Sequence, residues 1–535
     1  MRSLFWLLLL GATLRADDTP KLVELFQKGG VVTIPAGDYH LSGEQPIPLR
    51  SHMSIFAHGA RFILPETLGQ KPHLILFAGQ DIAHFSWYGG EFVGHVFDPS
   101  LEHNTWEPMA NTKGIEITTT RPGGTHDLLF REVKSDGMAA AVIGVHGLSK
   151  GESQVVVPAE RVALESCTLL RSGKFMWDYG YLWQILTFPE AYQPWEIERA
   201  KKYFRNDLVR EVSLSGDQIR FDGAAKPIPI SLGEEPGQAL SFMGEKLPRN
   251  IVRGRQYFVV ESAPGYIKVA ESSRGPAIRF EGEGSGFLAH NLQATYLAAY
   301  APTGAGPGKG AFDLTGANDV RVTGCQLSAL GDTMHIQKCR NIVFANNHIL
   351  GSRMGAFFLA EFCQNASVTG NLVDGTNGSR VVSVEKSCTD VTMTGNTFRN
   401  GGRGAWINQP VNFILSGNVF VNNTTKNEPD LCRGRIAYQT GQPGSFPELY
   451  FTIYEPAASY GPVIVRDNIF ILGKSAPSDA VTFAPNGHDL QCTGNIFLGK
   501  AANIAVDPSC QRTLIENNRG ADTVTKGVDF NHGRR

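Results

Sequence analysis

Apolar and polar residues alternate over short segments throughout the second half of the chain. Between about Asp319 and Asn518 these segments share the form apolar-x-apolar-x-Gly-Asn-x-apolar: VRVTGCQL, IVFANNHI, SVTGNLV, VTMTGNTF, FILSGNVF, VIVRDNIF, LQCTGNIF and LIENN. A period of two indicates β-strands, because successive side chains of a strand point to opposite faces. The predicted inward-facing pairs are Val320/Val322, Ile342/Phe344, Val391/Met393 and Phe413/Leu415.

The spacing of these segments predicts a stacked solenoid. The anchors Cys325, Asn347, Asn371, Asn396, Asn418, Asn468, Asn495 and Asn517 are 22, 24, 25, 22, 50, 27 and 22 residues apart. A near-constant period in this range is the signature of a repeat fold in which each unit packs on its neighbours. The gap of 50 predicts one extra coil and a longer loop around Asn422 to Pro447. Gly and Asn both tolerate positive φ at a tight bend, and stacked Asn side chains can form a ladder of hydrogen bonds. The predicted fold is therefore all-β, a parallel β-helix.

A second motif lies near the N-terminus, in KLVELFQKGGVVTIPAGDYHLSGEQPIPLRSHMSIFAHGARFIL. It gives a short helix, then GG-x-V-x-I-P-x-G-x-Y, then a Gly-Ala-x-Phe strand. With the GN-x-F ladder, it resembles the cap and first coil of right-handed parallel β-helix proteins of the pectate-lyase-like superfamily. The resemblance covers roughly Leu22 to Cys167 and Tyr300 to Asn518. It implies the fold and leaves the activity open, because the superfamily holds lyases, hydrolases, epimerases and phage adhesins.

The first residues predict export. Arg2 precedes an apolar run from Leu4 to Leu10, small residues follow, and cleavage is expected after Ala16. The run is too short to span a bilayer, so residues 1–16 have the layout of a secretory signal. No later stretch is long and apolar enough for a membrane helix. We expect the mature chain to be extracellular or periplasmic.

The ladder stops between Tyr181 and His290, which divides the chain. We expect residues 17–183 to form the cap and first coils, 184–290 an insert, 291–520 the main coils and 521–535 a tail. The stretch PEAYQPWEIERAKKYFRN predicts a helix near Glu190 to Asn206. The later stretch LPRNIVRGRQYFVVESAPGYIKVAESSRGPAIRFEGEGSG resembles a small β-barrel insert of phage-tail and bacterial surface proteins. The insert is expected either to be scaffolding or to contact substrate.

The charge and the cysteine spacing of the chain indicate which kinds of ligand it is not expected to bind. Without residues 1–16, the chain has 47 basic and 51 acidic residues and a formal charge of −4. It has no basic block with interleaved aromatic residues, so nucleic acid is not an expected partner. The eight cysteines lack the paired spacing of a zinc site, and no dinucleotide or phosphate motif stands out, so we expect no cofactor or metal. Cys339, Cys363 and Cys388 recur at one phase of the repeat and predict a ladder of buried thiols.

Strand alternation also predicts the outer face of the second strand in each coil. The inward pairs are Phe312/Leu314, Met334/Ile336, Phe357/Leu359, Val382/Val384 and Ala405/Ile407. One outward column then holds Asp313, His335, Phe358, Ser383 and Trp406. The next holds Thr315, Gln337, Ala360, Glu385 and Asn408, with Lys338, Glu361, Lys386 and Gln409 just beyond. Exposed aromatic rings on a flat sheet indicate a surface on which sugars stack, the alternative being an ordinary solvated face.

Four residues on this face are candidates for acid–base catalysis: Asp313, His335, Glu361 and Glu385. Retaining glycosidases place two carboxyl groups about 5–5.5 Å apart and inverting ones about 6.5–9.5 Å apart, and coils about 4.8 Å apart supply both distances. A neighbouring carboxylate can raise the pKa of one partner and make it the acid. The candidates for holding sugar rings are Gln337, Lys338, Phe358, Lys386, Trp406 and Asn408. Asp178, in the WDYG stretch, either joins the site from an earlier coil or is a loop residue.

Three functions follow from these candidates. The first is hydrolysis of a glycosidic bond in an extracellular polysaccharide or oligosaccharide. The second, implied by the superfamily resemblance, is a lyase acting on a uronate polymer, with Lys338 or Lys386 as base and Ca²⁺ held by Asp313 with Glu361 or Glu385. The third is a carbohydrate-binding surface or adhesion protein without catalysis. The motifs of the polygalacturonase family, a pair of Asp residues followed by G-H-G and R-I-K, do not distinguish between these functions. The segment GDTMHIQK has one Asp where that family has a pair, and neither G-H-G nor R-I-K follows.

Overall fold

The computed structural model describes residues 17–64, 73–94, 111–150, 154–173, 194, 209–221, 239–253, 255–272, 275–290, 309–329, 331–352, 355–375, 380–424 and 446–528. Within these ranges, successive coils of the chain add strands to three long parallel sheets, A, B and C, in that order around each turn. Each strand pairs with the equivalent strand of the coil before and after it. The predicted signal segment, the helix expected near Glu190 to Asn206 and Asp178 lie outside the described residues, apart from position 194.

Sheet A contains β1 (Val31–Thr33), β4 (Ser54–Phe56), β7 (Ala83–Tyr88), β10 (His126–Arg131), β15 (Ala159–Glu165), β24 (Ala317–Thr323), β27 (Arg340–Ala345), β30 (Gln364–Thr369), β33 (Thr389–Thr394), β36 (Val411–Ser416), β39 (Val463–Arg466), β42 (His488–Thr493) and β45 (Gln511–Glu516). Sheet B contains β2 (Gly37–His40), β5 (Ala60–Ile63), β8 (Glu91–Val93), β11 (Lys134–Asp136), β16 (Thr168–Ser172), β25 (Gln326–Ala329), β28 (His348–Ser352), β31 (Leu372–Asp374), β34 (Thr397–Arg399), β37 (Val419–Val421), β40 (Ile469–Ile471) and β43 (Ile496–Leu498). Sheet C contains β3 (Ile47–Pro48), β6 (His73–Gln80), β9 (Asn111–Thr118), β12 (Ile143–His146), β23 (Lys309–Thr315), β26 (Asp332–Gln337), β29 (Gly355–Leu359), β32 (Arg380–Val384), β35 (Ala405–Asn408), β38 (Leu449–Thr452), β41 (Asp479–Phe483), β44 (Ala502–Val506) and β46 (Ala521–Thr525).

Three further elements depart from the coil pattern. Helix α1 (Thr19–Gln27) buries Leu22 and Phe26 against the first coils, where the Phe26 ring lies 5.6 Å from that of Phe77. Strands β13 (Leu148–Lys150) and β14 (Gln154–Val157) form an antiparallel hairpin. Between β16 and β23 the chain forms a closed antiparallel barrel of β17 (Val209–Ser215), β18 (Gln218–Phe221), β19 (Ala239–Lys246), β20 (Gln256–Ala263), β21 (Tyr266–Ala270) and β22 (Gly284–His290). The barrel has its own apolar core, which includes Phe242, Tyr257 and Val259.

A ladder of buried asparagines holds the bend from sheet A to sheet B. The backbone N–H of Asn371 donates to Oδ1 of Asn396 at 3.0 Å, and Nδ2 of Asn371 donates to the same oxygen at 2.9 Å. The same pair of bonds links the members of the ladder in turn: Asn347, Asn371, Asn396, Asn418, Asn468, Asn495 and Asn518. The positive φ occurs at the residue before each asparagine, such as Gly370 or Gly395.

Two details of the predicted repeat are wrong. The last anchor is Asn518, because Asn517 takes the positive-φ position with φ of 57°. The gap of 50 residues holds no extra coil, since Asn418 bonds directly to Asn468 and the ring of Phe420 stacks on that of Phe470 at 4.9 Å. The additional residues therefore extend one connection from sheet B to sheet C, mostly outside the described part of the chain.

The predicted thiol ladder is present in the interior. Cys339, Cys363 and Cys388 are buried and unpaired as disulfides. Each thiol donates to a carbonyl oxygen of the preceding coil, at 3.5 Å from Leu314, 3.3 Å from Ile336 and 3.0 Å from Ala360. Their shared phase in the repeat follows from this equivalent contact.

Glu448, just before β38, carries a carboxyl group inside the protein. The group is fully buried and accepts hydrogen bonds from the Asn423 backbone N–H at 3.0 and 3.1 Å and from Asn423 Nδ2 at 2.7 Å. Burial raises the pKa of Glu448 to about 7, although the Asn423 donors oppose the shift.

This raised pKa predicts a pH-dependent stability. The unfolded carboxyl ionises near pH 4.5 and the folded one near 7, so the stabilising contribution of Glu448 is complete below pH 4.5 and is lost as the pH rises towards 7. The total corresponds to about 3 kcal/mol. We expect the thermal midpoint of Glu448→Gln, measured by circular dichroism between pH 5 and 8, to fall less than that of the wild type. Glu516→Gln, at an exposed position, is the control. If the thermal midpoint of Glu448→Gln falls with pH as steeply as that of Glu516→Gln, Glu448 is not the source of the pH dependence.

Candidate functional site

The register of sheet C assembles the predicted outer columns. Asp313 lies opposite His335, Phe358 opposite Ser383 and Ser383 opposite Trp406. The inward pairs on these strands are all buried. The second column follows at the C-terminal ends of the strands, where Glu385 lies one residue beyond β32. The catalytic and sugar-binding candidates of the main coils therefore share one face of sheet C.

Asp313 and His335 form a buried pair on adjacent coils. Oδ1 of Asp313 lies 3.0 Å from Nδ1 of His335, and the two residues are 5% and 7% exposed. The hydroxyl of Thr315 donates to the same carboxylate oxygen at 3.3 Å. The His335 ring stacks on the half-buried ring of Phe358, with centroids 5.6 Å apart. The carboxylate thus orients an imidazole on the face of the sheet.

Glu361 and Glu385 form a second pair, and it is the most electrostatically perturbed feature of this face. Burial, the nearby charges of Glu361 and Asp332, and a hydrogen bond that the protonated Glu385 donates to Glu361 raise the pKa of Glu385 to about 8, and Arg380 only partly offsets them. Gln337 Nε2 donates to Glu361 Oε2 at 2.5 Å and holds that carboxyl in place. Two carboxyl groups joined by a hydrogen bond share a proton, so Glu385 is protonated at neutral pH.

Asp332, at the start of β26, bonds to the next coil and also acts on the glutamate pair. Its Oδ1 accepts the backbone N–H of Gly355 at 2.8 Å. A Cβ built on Gly355 would lie 2.8 Å from that oxygen and 2.9 Å from the Phe358 ring, so any larger residue here would have to displace one of these two side chains. Because its charge also raises the pKa of Glu385, Asp332 belongs to the electrostatics of the face.

Two arginines bring positive charge to the same face. The guanidinium carbon of Arg380 lies 4.4 Å from the centre of the Trp406 ring. Burial and the neighbouring charge of Arg380 lower the pKa of Arg403 to about 10, and Tyr450 and Asp332 oppose the shift. Two cations whose charges act on each other in this way suit an anionic ligand group.

The expectation that Trp406 offers an exposed ring is wrong. Trp406 is 4% exposed, its Nε1 donates to Thr452 Oγ1 at 2.7 Å, and Arg380 covers its face. Phe446, Tyr450 and Tyr454 complete the cluster around it. Asn408 is also buried and donates to Thr452 Oγ1 at 2.7 Å, while its Oδ1 is buried without a hydrogen bond among the described residues. Residues of the neighbouring coil cover these side chains, which strand alternation alone does not reveal.

The remaining binding candidates lie at the edge of the face. Lys386 Nζ is 5.4 Å from the centre of the Tyr454 ring. Lys338 follows β26 with φ of 55°, and its backbone N–H donates to the Glu361 carbonyl at 2.9 Å. Both lysines border the glutamate pair, and Asp178 lies outside the described residues.

Arg380 and Arg403 were missed by the sequence reasoning. Alternation assigns Arg380 to the inward set, because it is two residues before the inward Val382, whereas its guanidinium lies over the ring of the outward Trp406. Arg403 lies in GGRGAW, a turn from sheet B to sheet C, where no periodic pattern applies. An arginine beside a glycine-rich turn next to a predicted site strand was the available signal.

Comparison with known proteins finds one family match and several similar solved structures. Residues 303–442 match the family of the right-handed β-helix region. The A-module of the mannuronan C-5 epimerase AlgE6 from Azotobacter vinelandii is similar, with 11% identity, a TM-score of 0.47 and 96% coverage of both chains. The Streptococcus pneumoniae surface protein and adhesin PfbA is similar with 11% identity, a TM-score of 0.46 and 96% coverage of both chains. The endo-xylogalacturonan hydrolase of Aspergillus tubingensis has 10% identity and a TM-score of 0.30, with coverage of 96% of this chain and 91% of the hydrolase. No curated protein matches the chain in sequence.

The family match and the three long parallel sheets confirm the predicted right-handed parallel β-helix. The similar structures include an epimerase, an adhesin and a hydrolase at about one identical residue in ten, so they do not distinguish between the three functions. No described helix has the length and apolar character needed to cross a membrane. The choice of function depends on the residues of the face.

Proposed function

We propose that this chain is a secreted glycoside hydrolase acting on an extracellular polysaccharide, with Glu385 as the proton donor to the leaving oxygen. The observation that carries the proposal is the half-buried carboxyl group of Glu385 beside Glu361, where desolvation and the neighbouring charge raise its pKa to about 8. A general acid must be protonated at the working pH, and a carboxyl group with an ordinary pKa is not.

Glu361 keeps the proton on its partner, and a base is needed for the attacking water. The Asp313–His335 pair on the same face supplies one. With Nδ1 of His335 donating to Asp313, the basic nitrogen is Nε2. Glu385 protonates the glycosidic oxygen as the bond to the anomeric carbon breaks, and water adds to that carbon as it loses a proton to His335.

A uronate-directed lyase is the second candidate, and the arginines favour it. Arg380 and Arg403 are placed to neutralise a substrate carboxylate, which a lyase needs before a proton leaves the neighbouring carbon. Lys338 and Lys386 border the site as the expected bases. Ca²⁺ held by Asp313 with Glu361 or Glu385 would have to replace the His335 contact and the proton shared by the glutamates.

The products distinguish the candidates. The purified chain is incubated with neutral, sulfated and uronate polysaccharides, first with Ca²⁺ and then with EDTA, while reducing ends and ultraviolet absorbance of unsaturated uronates are followed together. Hydrolysis predicts new reducing ends without that absorbance and without a Ca²⁺ requirement. Absorbance that depends on Ca²⁺ would replace the hydrolase with the lyase. Binding to one polymer without any product would leave a carbohydrate-binding or adhesion protein.

Arg380 provides a test of substrate charge. Arg380→Ala is expected to raise KM on a uronate polymer about 10- to 100-fold, because a charge-assisted hydrogen bond contributes about 1.5–3 kcal/mol, and to leave KM on a neutral polymer unchanged. Arg399→Ala, which removes an arginine paired with Asp374 on sheet B, serves as the matched control. Equal losses on both polymers would show that Arg380 only supports Trp406.

A further inference from the structure

A histidine cluster lies on the first coils, away from the glutamate pair. His84 in β7 lies opposite Asp127 in β10, and His126 precedes Asp127 directly. Strand β9 leads into the bend that holds His126 and Asp127, and β29 leads to Glu361. These two strands of sheet C are four coils apart, a distance of about 19 Å along the axis. We call His84, His126 and Asp127 the histidine cluster.

Both imidazoles converge on one carboxylate oxygen. Asp127 Oδ2 lies 3.1 Å from Nδ1 of His84 and 2.8 Å from Nδ1 of His126. The ring centroids are 4.7 Å apart and nearly perpendicular, at 87°. One ligand atom from each of the three residues lies within 4.8 Å of the other two. Around a tetrahedral zinc ion at 2.0–2.2 Å the ligand atoms are about 3.3 Å apart, so small rotations of surface side chains suffice.

Neighbouring residues hold the cluster in this arrangement. The ring of His52, on the preceding coil, stacks on that of His84 with centroids 5.0 Å apart. Arg161, on the following coil, donates to Asp127 Oδ1 at 2.5 Å and to Oδ2 at 3.3 Å. Arg161 and His126 hold the pKa of Asp127 well below its ordinary value, so the carboxylate is ionised and can act as a ligand. Arg161 also adds a positive charge that weakens the binding of a cation.

A structural explanation covers part of this arrangement. Asp127 has φ of 56°, and the equivalent bends hold Asp319, Asn341 and Asn365, residue types that accept positive φ. The bend at His488 repeats the motif: Nδ1 of His488 lies 2.9 Å from Asp489, which also accepts from Arg512. Pro462 lies opposite Asp489, where His84 lies opposite Asp127. The second imidazole is therefore the feature that the fold itself does not require.

We propose that His84, His126 and Asp127 bind a divalent transition-metal ion such as Zn²⁺. Two imidazole nitrogens and a carboxylate oxygen are the donor set that such ions prefer, and a fourth position is left for water. The ion replaces the protons by which both histidines bond to Asp127, and it ties two successive coils together near the N-terminal cap. Arg161 keeps Oδ1 while the ion takes Oδ2.

The repeated bend supplies an internal control. The untagged full chain is treated with EDTA and titrated with ZnCl₂ by isothermal calorimetry, and circular dichroism checks the fold of each variant. The wild type is expected to bind one zinc ion with a rise in thermal midpoint. His84→Gln and His126→Gln should each weaken binding at least about tenfold. Arg161→Gln should tighten binding, and His488→Gln should leave it unchanged.

Three results would overturn the proposal. These are no uptake of zinc by the wild type, zinc binding by His84→Gln equal to that of the wild type, and a loss of binding in His488→Gln as large as that in His126→Gln. The first would leave the cluster as a hydrogen-bonded hub, and the other two would place the ion elsewhere. Because the readout is zinc binding, the result is independent of any enzymatic activity.

Discussion

Glu385→Gln is expected to lower kcat by about 10²- to 10⁴-fold on the polymer that the chain cleaves, the range of a lost general acid. The amide keeps the size and can still form hydrogen bonds, but it has no acidic proton to transfer to the leaving oxygen. KM should change little, because the sugar is held by other groups of the face. Initial rates of reducing-end release at neutral pH measure the effect.

The pH profile adds a readout that a merely structural residue would not move. In the wild type, activity should fall as the pH rises through about 8, where Glu385 loses its proton. Glu361→Gln removes a neighbouring negative charge, so the pKa of Glu385 falls and the alkaline limb should move to lower pH. Glu455→Gln, at an exposed position near Tyr454, should change neither rate nor profile. A Glu385→Gln enzyme with wild-type kcat would remove Glu385 from the chemistry.

Asn396→Ala is expected to destabilise the chain by about 3 kcal/mol or more. The side chain accepts from the backbone N–H and Nδ2 of Asn371 and donates to the Val368 carbonyl at 2.9 Å, all in the interior. Its removal leaves several buried polar groups unpaired, and each costs about 1–3 kcal/mol. Urea unfolding followed by circular dichroism gives the difference in the free energy of unfolding.

The control for the ladder is Ser367→Ala on the exposed side of β30, where the hydroxyl lies 3.3 Å from that of Thr369. It should change the free energy of unfolding by less than about 0.5 kcal/mol. A loss of under 1 kcal/mol for Asn396→Ala would mean that water or a shifted neighbour replaces the missing bonds, and that the ladder contributes little to stability.

The sequence predicted features that depend on a strict period. Alternation identified inward pairs such as Phe357/Leu359, because each coil repeats the same inside and outside. The Gly-Asn spacing located the ladder, since each asparagine must bond to the next coil. The same repeat spacing placed Glu361 and Glu385 on adjacent coils. From that placement followed the expectation that one carboxyl group would raise the pKa of the other.

The sequence failed where side chains leave the period. Trp406 is outward by alternation but is covered by Arg380, whose guanidinium lies over its ring. The extra coil was inferred from a spacing of 50, and spacing alone cannot separate a coil from a long connection. The histidine cluster went unnoticed because its members are 42 residues apart and only the register of β7 and β10 brings them together.

Titration of the Glu385 carboxyl group tests the central claim most directly, and it requires no substrate. Infrared difference spectra follow the band of protonated carboxyl groups from pH 5 to 9 in the wild type, Glu385→Gln and Glu448→Gln. The predicted result is a carboxyl proton that is lost near pH 8 in the wild type and in Glu448→Gln, and that is missing from Glu385→Gln. If Glu385→Gln removes no band that persists above pH 6, Glu385 is ionised at neutral pH and cannot be the proton donor.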